Sequence, residues 1–384
     1  PDLISGMPVV SIGSSAFSSS TSLTAIELPD SLTSIGGSAF YRSAIRSLDI
    51  PDSVTSIGGS AFRESSLVSV KLPSNLSSIA SGLFQGVSGL TEITLPDTVT
   101  TIGAQAFYGT GLTSISIPDA VTTIGAQAFY GTGLTSISIP DAVTTIGDYA
   151  FYNVPITSLT FPDNISFGNQ AFTSTGITTL VVPEGVQFYN NSILASIPSV
   201  CSSLTTLTIA QKLVSGFSNC TKLEKVTLLE SVISIGSSAF YRSAIRSLDI
   251  PDSVTSIGGS AFRESSLVSV KLPSNLSSIA SGLFQGVSGL TEITLPDTVT
   301  TIGAQAFYGT GLTSISIPDA VTTIGAQAFY GTGLTSISIP DAVTTIGDYA
   351  FYNVPITSLT FPDNISFGNQ AFTSTGITTL VVPE

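Results

Sequence analysis

The chain contains no histidine. That absence removes His-based nucleophile activation, imidazole acid–base chemistry and histidine metal sites. Cys201 and Cys220 are the only thiols. With no imidazole to deprotonate them, they are not arranged as nucleophiles. The other chemistry-bearing residues recur at a fixed interval. Asp97, Asp119, Asp141 and Asp163 follow one another at 22 residues. Stacked, they would form a ladder of hard oxygen ligands, candidate weak calcium sites. The alternative is a row of turn caps facing water. Like charges about 5 Å apart in water repel by only about 0.8 kcal/mol, so no cation is required. Tyr108, Tyr130 and Tyr152 recur at the same interval and are candidates for an outer aromatic row that meets a glycan or a partner. Partial burial against the coil is the competing reading. Ser114, Ser116, Ser136 and Ser138 form a candidate hydroxyl face for a glycan or for ice. Glu27, Asp49, Lys71 and Glu92 interrupt its regularity. Asn75, Asn164, Asn190 and Asn219 begin Asn-x-Ser/Thr sequons, which permit glycosylation of a secreted chain. No cofactor-binding motif accompanies these residues, and none is assigned a catalytic role.

The element that must position them is one stretch of 22 residues, Leu112 to Gly133, which recurs along the whole sequence. Apolar openers anchor each copy, from Leu23, Ile45 and Leu67 through Leu90, Leu112 and Leu134 to Ile377. A repeat of this length predicts stacked coils whose apolar faces are buried by their neighbours. Within one copy, Ile115-Ser116-Ile117 alternates with period two and predicts a strand. Pro118-Asp119 ends it and turns the chain. Val121 to Ile124 predicts a second short β segment, and Gly125 a corner that needs positive φ. Ala126 to Tyr130 is too short for a stable α-helix and predicts a single helical or 3₁₀ turn. Ala128 and Phe129 are assigned to the interior. Stacking then predicts a spine of Phe17, Phe40, Phe62, Phe84, Phe107, Phe129, Phe151 and Phe172.

The array reads as one continuous solenoid over residues 1–384, of about 17 coils at the strand spacing. A first array covers 1–184, degenerate repeats cover 185–222, and a second array covers 223–384. Ser38–Glu184 is identical to Ser238–Glu384, a stretch of 147 residues. Packing does not require identity, since cores accept conservative exchange. The identity suggests recent duplication or homogenisation of the array.

Bulk composition fits an ordered, uncharged surface: 42% hydrophobic residues but only 9% charged. The net charge of −14, with eleven Lys and Arg, argues against a nucleic-acid partner. No apolar run is long enough to span a membrane. No signal peptide is visible, and the start at Pro1 reads as a processed or excerpted product.

The repeat resembles the BspA-like, or Treponema pallidum type, leucine-rich repeats. Leu90, Ile93, Leu95-Pro96, Val99, Ile102-Gly103 and Ala106-Phe107 match their pattern, and so does Gly216-Phe217 through Cys220 to Leu223. The departure is at the family's cysteine position, which most copies here fill with Ser, Gly or Thr. Cys201 and Cys220 keep it, each three residues before an opener. Adjacent coils would bring their Cα atoms to about 5 Å, within disulfide range. Two buried thiols are the alternative. The resemblance implies a β-rich solenoid with a parallel sheet on its concave side. It implies short β or 3₁₀ segments on the other sides and little α-helix. It also implies a place outside the cell or on its surface, a link to adhesion, and no catalytic residues.

Three functions follow as expectations. Both termini fall inside a repeat without a charged cap, which points to a structural protein self-associating head to tail into a filament, sheath or appendage. An adhesin binding glycan or matrix ligands through its Tyr- or Ser-bearing face is the alternative. An ice-binding solenoid is the third.

Overall fold

The computed structural model describes residues 3–4, 7–187, 193, 197, 199–363 and 365–381. The chain forms two compact units, Pro1–Val200 and Cys201–Glu384. Each is a solenoid of parallel β-coils, and helix is almost absent among the described residues.

The most continuous feature of unit 1 is a ladder of two-residue strands, each a Ser or Thr followed by an apolar residue. Ser78–Ile79, Thr101–Ile102, Thr123–Ile124, Thr145–Ile146 and Ser166–Phe167 pair in parallel and in register. Ser11–Ile12, Ser34–Ile35 and Ser56–Ile57 form the same arrangement earlier in the chain. Period two explains the choice of residues. The apolar member turns inward, with Ile79, Ile102 and Ile124 at 0% exposure, and the hydroxyl member turns outward. The threonine before each pair adds a second bond. Thr100, Thr122 and Thr144 donate their hydroxyls to the carbonyl one coil back. Unit 2 repeats the ladder from Ser278–Ile279 to Ser366–Phe367.

The strand after the opener behaves differently. Ser47–Asp49 pairs with Ser69–Lys71, and Ser158–Thr160 with Thr179–Val182. Between them, the coils opened by Leu90, Leu112 and Leu134 contribute no strand. The expected alternation at Ile115-Ser116-Ile117 is present in burial, with Ile117 buried and Ser116 exposed, but not in pairing. Alternation decides which way a side chain points. A ladder also needs the neighbouring coil within hydrogen-bond reach.

The spine residues pack as the repeat demands. From Phe17 to Phe172 successive rings stack with centroids 5.0–5.7 Å apart and planes within 14°. Unit 2 has its own spine from Phe217 to Phe372. The segment carrying each Phe is a chain of linked turns rather than a 3₁₀ helix. Ala128, Tyr130 and Thr132 donate N–H groups to carbonyls three residues back, each at 3.2 Å. Gln127, Phe129 and Gly131 donate instead to the next coil, at 2.8–2.9 Å. Left-handed residues make this alternation possible: Gln127 at φ 56° and Gly131 at φ 67°. A 3₁₀ helix would keep φ negative throughout and point every N–H along its own axis.

Gly125 corrects the expectation of a positive φ, because the left-handed positions fall two and six residues later. Close approach explains it instead. A Cβ on Gly125 would lie 2.5 Å from the nitrogen of Ala104 and 2.7 Å from the carbonyl carbon of Gly103. Both are main-chain atoms of the preceding coil, so the stack itself would have to open. Gly125→Ala is expected to lower stability by about 1–3 kcal/mol, the usual range for overpacking. Gly109→Ala has open space but φ 62°, and should cost about 1–2 kcal/mol through backbone strain alone. Denaturation midpoints of the two variants check both values. An unchanged midpoint for Gly125→Ala would mean the coils tolerate wider spacing there.

The family's cysteine position is buried from Ser43 to Thr175 and from Cys220 to Val354, and half-buried at Cys201 and Thr375. Thr110 and Thr132 use it well: each hydroxyl donates to the carbonyl of the spine Phe three residues back, at 3.0 and 2.9 Å. Ser65 occupies the same position with its hydroxyl buried and without a partner. Ser65→Thr is therefore expected to gain about 1 kcal/mol by making that bond to Phe62. A melting temperature that does not rise would refute the comparison.

Candidate functional site

The open part of the strand face is where unit 1 presents a shaped surface. A cleft of about 620 Å³ lies between coils, lined by Ser69, Val70, Glu92, Ile93, Thr94, Ser114, Ile115 and Ser116. Ser69–Lys71 has a strand partner on one side only. The main-chain N–H and C=O groups of residues 92–95 and 114–117 make no hydrogen bond to the protein. Val70, Ile93 and Ile115 are half-buried, while Ser69, Glu92, Thr94, Ser114 and Ser116 are exposed. The result is a slot with an apolar floor, hydroxyl rims and one carboxylate. Its volume lies within the usual range for a ligand site. Unit 2 holds the same slot at Ser269, Val270, Glu292, Ile293, Thr294, Ser314, Ile315 and Ser316, with a volume of about 600 Å³. A second cleft there continues along the same pair of coils to Ser274 and Asp297.

Two of the hydroxyls expected to form a ligand face, Ser114 and Ser116, line this slot. Ser136 and Ser138 are exposed on the next open coil and do not line it. Ser69, Val70, Ile93, Thr94 and Ile115 were not singled out by residue type. The signal for them is a spacing: Leu67 to Leu90 is 23 residues, where most openers lie 22 apart. The extra residue falls between the spine Phe84 and Leu90, directly before the coil that forms the slot wall.

The tyrosines form a row of their own, in the linked turns. Tyr108 stacks on Tyr130 at 4.7 Å and Tyr130 on Tyr152 at 4.8 Å, with planes within 13°. Tyr149 leans against Tyr152 at 5.8 Å. Stacking along the coil axis uses the ring faces, so a sugar cannot lie flat on the central ring. What faces outward is ring edge and phenol oxygen. Burial, followed by its two tyrosine neighbours, holds the Tyr130 phenol above its ordinary range. In earlier coils the same position carries Tyr41 and Arg63. The guanidinium carbons of Arg42 and Arg63 sit 5.0 and 5.8 Å from the Tyr41 ring centre. Glu64 accepts from Arg42 at 2.6 Å and pairs with Arg63 at 3.3 Å. The hydrogen bond from Arg42 holds the Glu64 carboxylate below its usual range. This exposed network lies largely in water, where ion pairs contribute little to stability.

Asp97, Asp119, Asp141 and Asp163 are exposed at the turns after their strands. Among the described residues no three metal-capable side chains come together. Asp52, at the same turn of an earlier coil, accepts the main-chain N–H of Ser74 in the next coil at 2.7 Å. That bond holds its carboxylate below the ordinary range. Cys201 and Cys220 are joined in a disulfide, with Cα atoms 4.1 Å apart. Asn75, Asn164 and Asn219 are exposed, whereas Asn190 lies outside the described residues.

A family described as the BspA type leucine rich repeat region matches residues 4–110, 100–215, 199–312 and 300–384. No curated protein sequence matches the chain. Among solved structures, a leucine-rich repeat protein from Bacteroides ovatus is similar at 24% identity and a TM-score of 0.48, over 96% of this chain and 80% of that one. A leucine rich cell surface protein from Faecalibacterium prausnitzii is similar at 21% identity and a TM-score of 0.30, over 94% and 83%. A leucine rich repeat protein of T. pallidum is similar at 18% identity and a TM-score of 0.22, over 56% and 68%.

Proposed function

The chain belongs to the BspA type leucine-rich repeat family, and from that premise we propose that it is a non-catalytic recognition scaffold, exposed on a cell surface or outside the cell. It holds a macromolecular ligand on the strand face of its repeats. The observation that carries this reading is the open stretch of that face. Hydroxyls and half-buried apolar side chains line one slot there, and the same slot occurs in each unit. The disulfide supports an oxidising compartment and hence a place outside the cytosol. The lack of histidine and of any cluster of three metal-capable side chains among the described residues is consistent with binding rather than turnover. The net charge of −14 favours a neutral or basic partner over nucleic acid. No helix among the described residues is long and apolar enough to cross a membrane.

The test is a screen of the full chain against glycan, matrix-protein and peptide arrays, beside a variant with bulky groups on the strand face of both units. Ser114→Trp, Ser136→Arg, Ser314→Trp and Ser336→Arg serve for this. Captured ligands are expected to be lost from the variant while its melting curve stays unchanged. Capture that survives the substitutions would move the binding surface elsewhere. Arrays that capture nothing, with assemblies that grow with concentration in sedimentation, would favour end-to-end self-association instead. The strand-face reading is preferred because it rests on groups present in both units.

A further inference from the structure

We propose that each unit binds the carboxylate of an acidic oligosaccharide on the face formed by its linked turns, at Arg42 and Arg63 in unit 1 and at Arg242 and Arg263 in unit 2. This site is separate from the strand-face slot and stands independently of it.

The chain is sparing with charge, yet four of its six arginines fall at these two places. Arg42 and Arg63 come from successive coils and close on the same two groups. Their guanidinium carbons lie over one ring, Tyr41, and their Nε atoms face the two oxygens of one carboxylate, Glu64. Unit 2 reproduces the arrangement. Arg242 and Arg263 lie 4.9 and 5.8 Å from the Tyr241 ring centre, and 2.7 and 3.3 Å from the carboxylate of Glu264. Ring and carboxylate together fix each planar guanidinium by its Nε side. Among the described residues, the terminal nitrogens of Arg42 and Arg63 have no hydrogen-bond partner. These side chains are 58% and 41% exposed, so the unused donors are open to a ligand.

Charge identifies the group that is bound. Two guanidinium groups less one carboxylate leave a single positive charge at each site, and one further carboxylate matches it. The outer edge of a guanidinium presents parallel N–H donors at the spacing of carboxylate oxygens. A polyanion is disfavoured, because the chain as a whole carries −14. Stability does not account for the cluster, since exposed ion pairs add little.

The neighbouring surface identifies what carries the carboxylate. Glu64 donates its N–H to the Gln85 carbonyl, Gly86 to that of Tyr108, and Gly109 to that of Tyr130. Arg63, Gln85, Tyr108 and Tyr130 therefore stand in one row along the stack. Beyond the arginine this row offers an amide and phenol oxygens, and it contains no aliphatic residue to hold peptide side chains. At Gly109 and Gly131 a Cβ would meet nothing within 4 Å, which leaves open space beside Tyr108 and Tyr130. Hydrogen-bonding groups at one-coil intervals beside open backbone suit the hydroxyls of sugar rings. The three coil steps from Arg63 to Tyr130 span about 14 Å at the strand spacing, room for a short oligosaccharide.

The experiment titrates the full chain with sialyllactose and with aldotriouronic acid, each bearing one carboxylate, and with their neutral parents lactose and xylobiose. Calorimetry is expected to show two equivalent sites for at least one of the acids and none for the parents. Arg42→Gln with Arg63→Gln should abolish one site. Adding Arg242→Gln and Arg263→Gln should abolish both, with an unchanged melting curve. Glu64→Gln with Glu264→Gln should do the opposite and tighten binding by about three- to tenfold at low salt, because the guest no longer competes with a built-in carboxylate. A purely structural ion network would give no such gain. Binding that is unchanged or weaker in the glutamate variant overturns the site. So does equal binding of the neutral parents, or no saturation by either acid up to about 10 mM. Tighter binding of a capped Gly-Glu-Gly peptide than of either acid would overturn the sugar in favour of an acidic polypeptide. Loss of the acid sugars in the strand-face variant would overturn the placement on the turns, whereas the strand-face reading itself is decided by the array screen.

Discussion

Phe129→Ala is expected to lower stability by about 3–5 kcal/mol, the usual loss for truncating a fully buried phenylalanine. Phe129 has 0% exposure and stacks between Phe107 at 5.3 Å and Phe151 at 5.1 Å. Removing the ring deletes its own buried surface and uncovers one face of each neighbour. Collapse cannot repair this, because the ring positions are set by inter-coil hydrogen bonds on either side: Gln127 N–H to Asp148 and Gly131 N–H to Tyr152. In a repeat array the damage should stay near the altered coil, since each coil touches mainly its neighbours. Hydrogen exchange is therefore expected to rise around residues 107–151 and to stay unchanged in unit 2. The identical Phe329 provides an internal control, because Phe329→Ala should reproduce the loss in the other unit. A variant with an unaltered melting profile would contradict a buried spine.

Opening the disulfide has the next largest expected effect, about 3 kcal/mol. Cys201 and Cys220 are 19 residues apart. The cross-link removes the entropy of a loop of that length from the unfolded chain. Cys220 is fully buried at the position where other coils carry Ser or Thr. The double variant Cys201→Ser/Cys220→Thr therefore keeps a residue type that the position accepts and removes only the bond. The cross-linked protein is expected to melt higher than this variant, and reductant should lower its midpoint to the variant's. Reductant should leave the variant itself unmoved. Equal midpoints before and after reduction would show that packing alone fixes this coil.

Both effects were legible in the chain to different degrees. The spine follows from one residue type recurring at the coil length, whereas the shared position of the cysteines left a disulfide and two buried thiols both open, and the structure joins them. The tyrosine row was legible as a row, yet its use was not. Sequence spacing places Tyr108, Tyr130 and Tyr152 above one another. Only the ring planes show that they cover each other's faces.

The sequence by itself determined the coil length, the inward and outward side chains, the spine and the parallel register. These properties are periodic and local: a spacing of 22 and an alternation of two can be counted along one dimension. Tertiary structure alone decided where the strand ladder opens, which residues turn left-handed, and why Gly125 must be glycine. Each of those depends on the distance between one coil and the next. A hydrogen bond is made or lost within a few tenths of an ångström of that distance, and a Cβ either fits within it or does not. The slot exists because the coils from Leu90 to Leu134 hold together at their rings and their Ser/Thr ladder while their strand-face backbones stay unpaired.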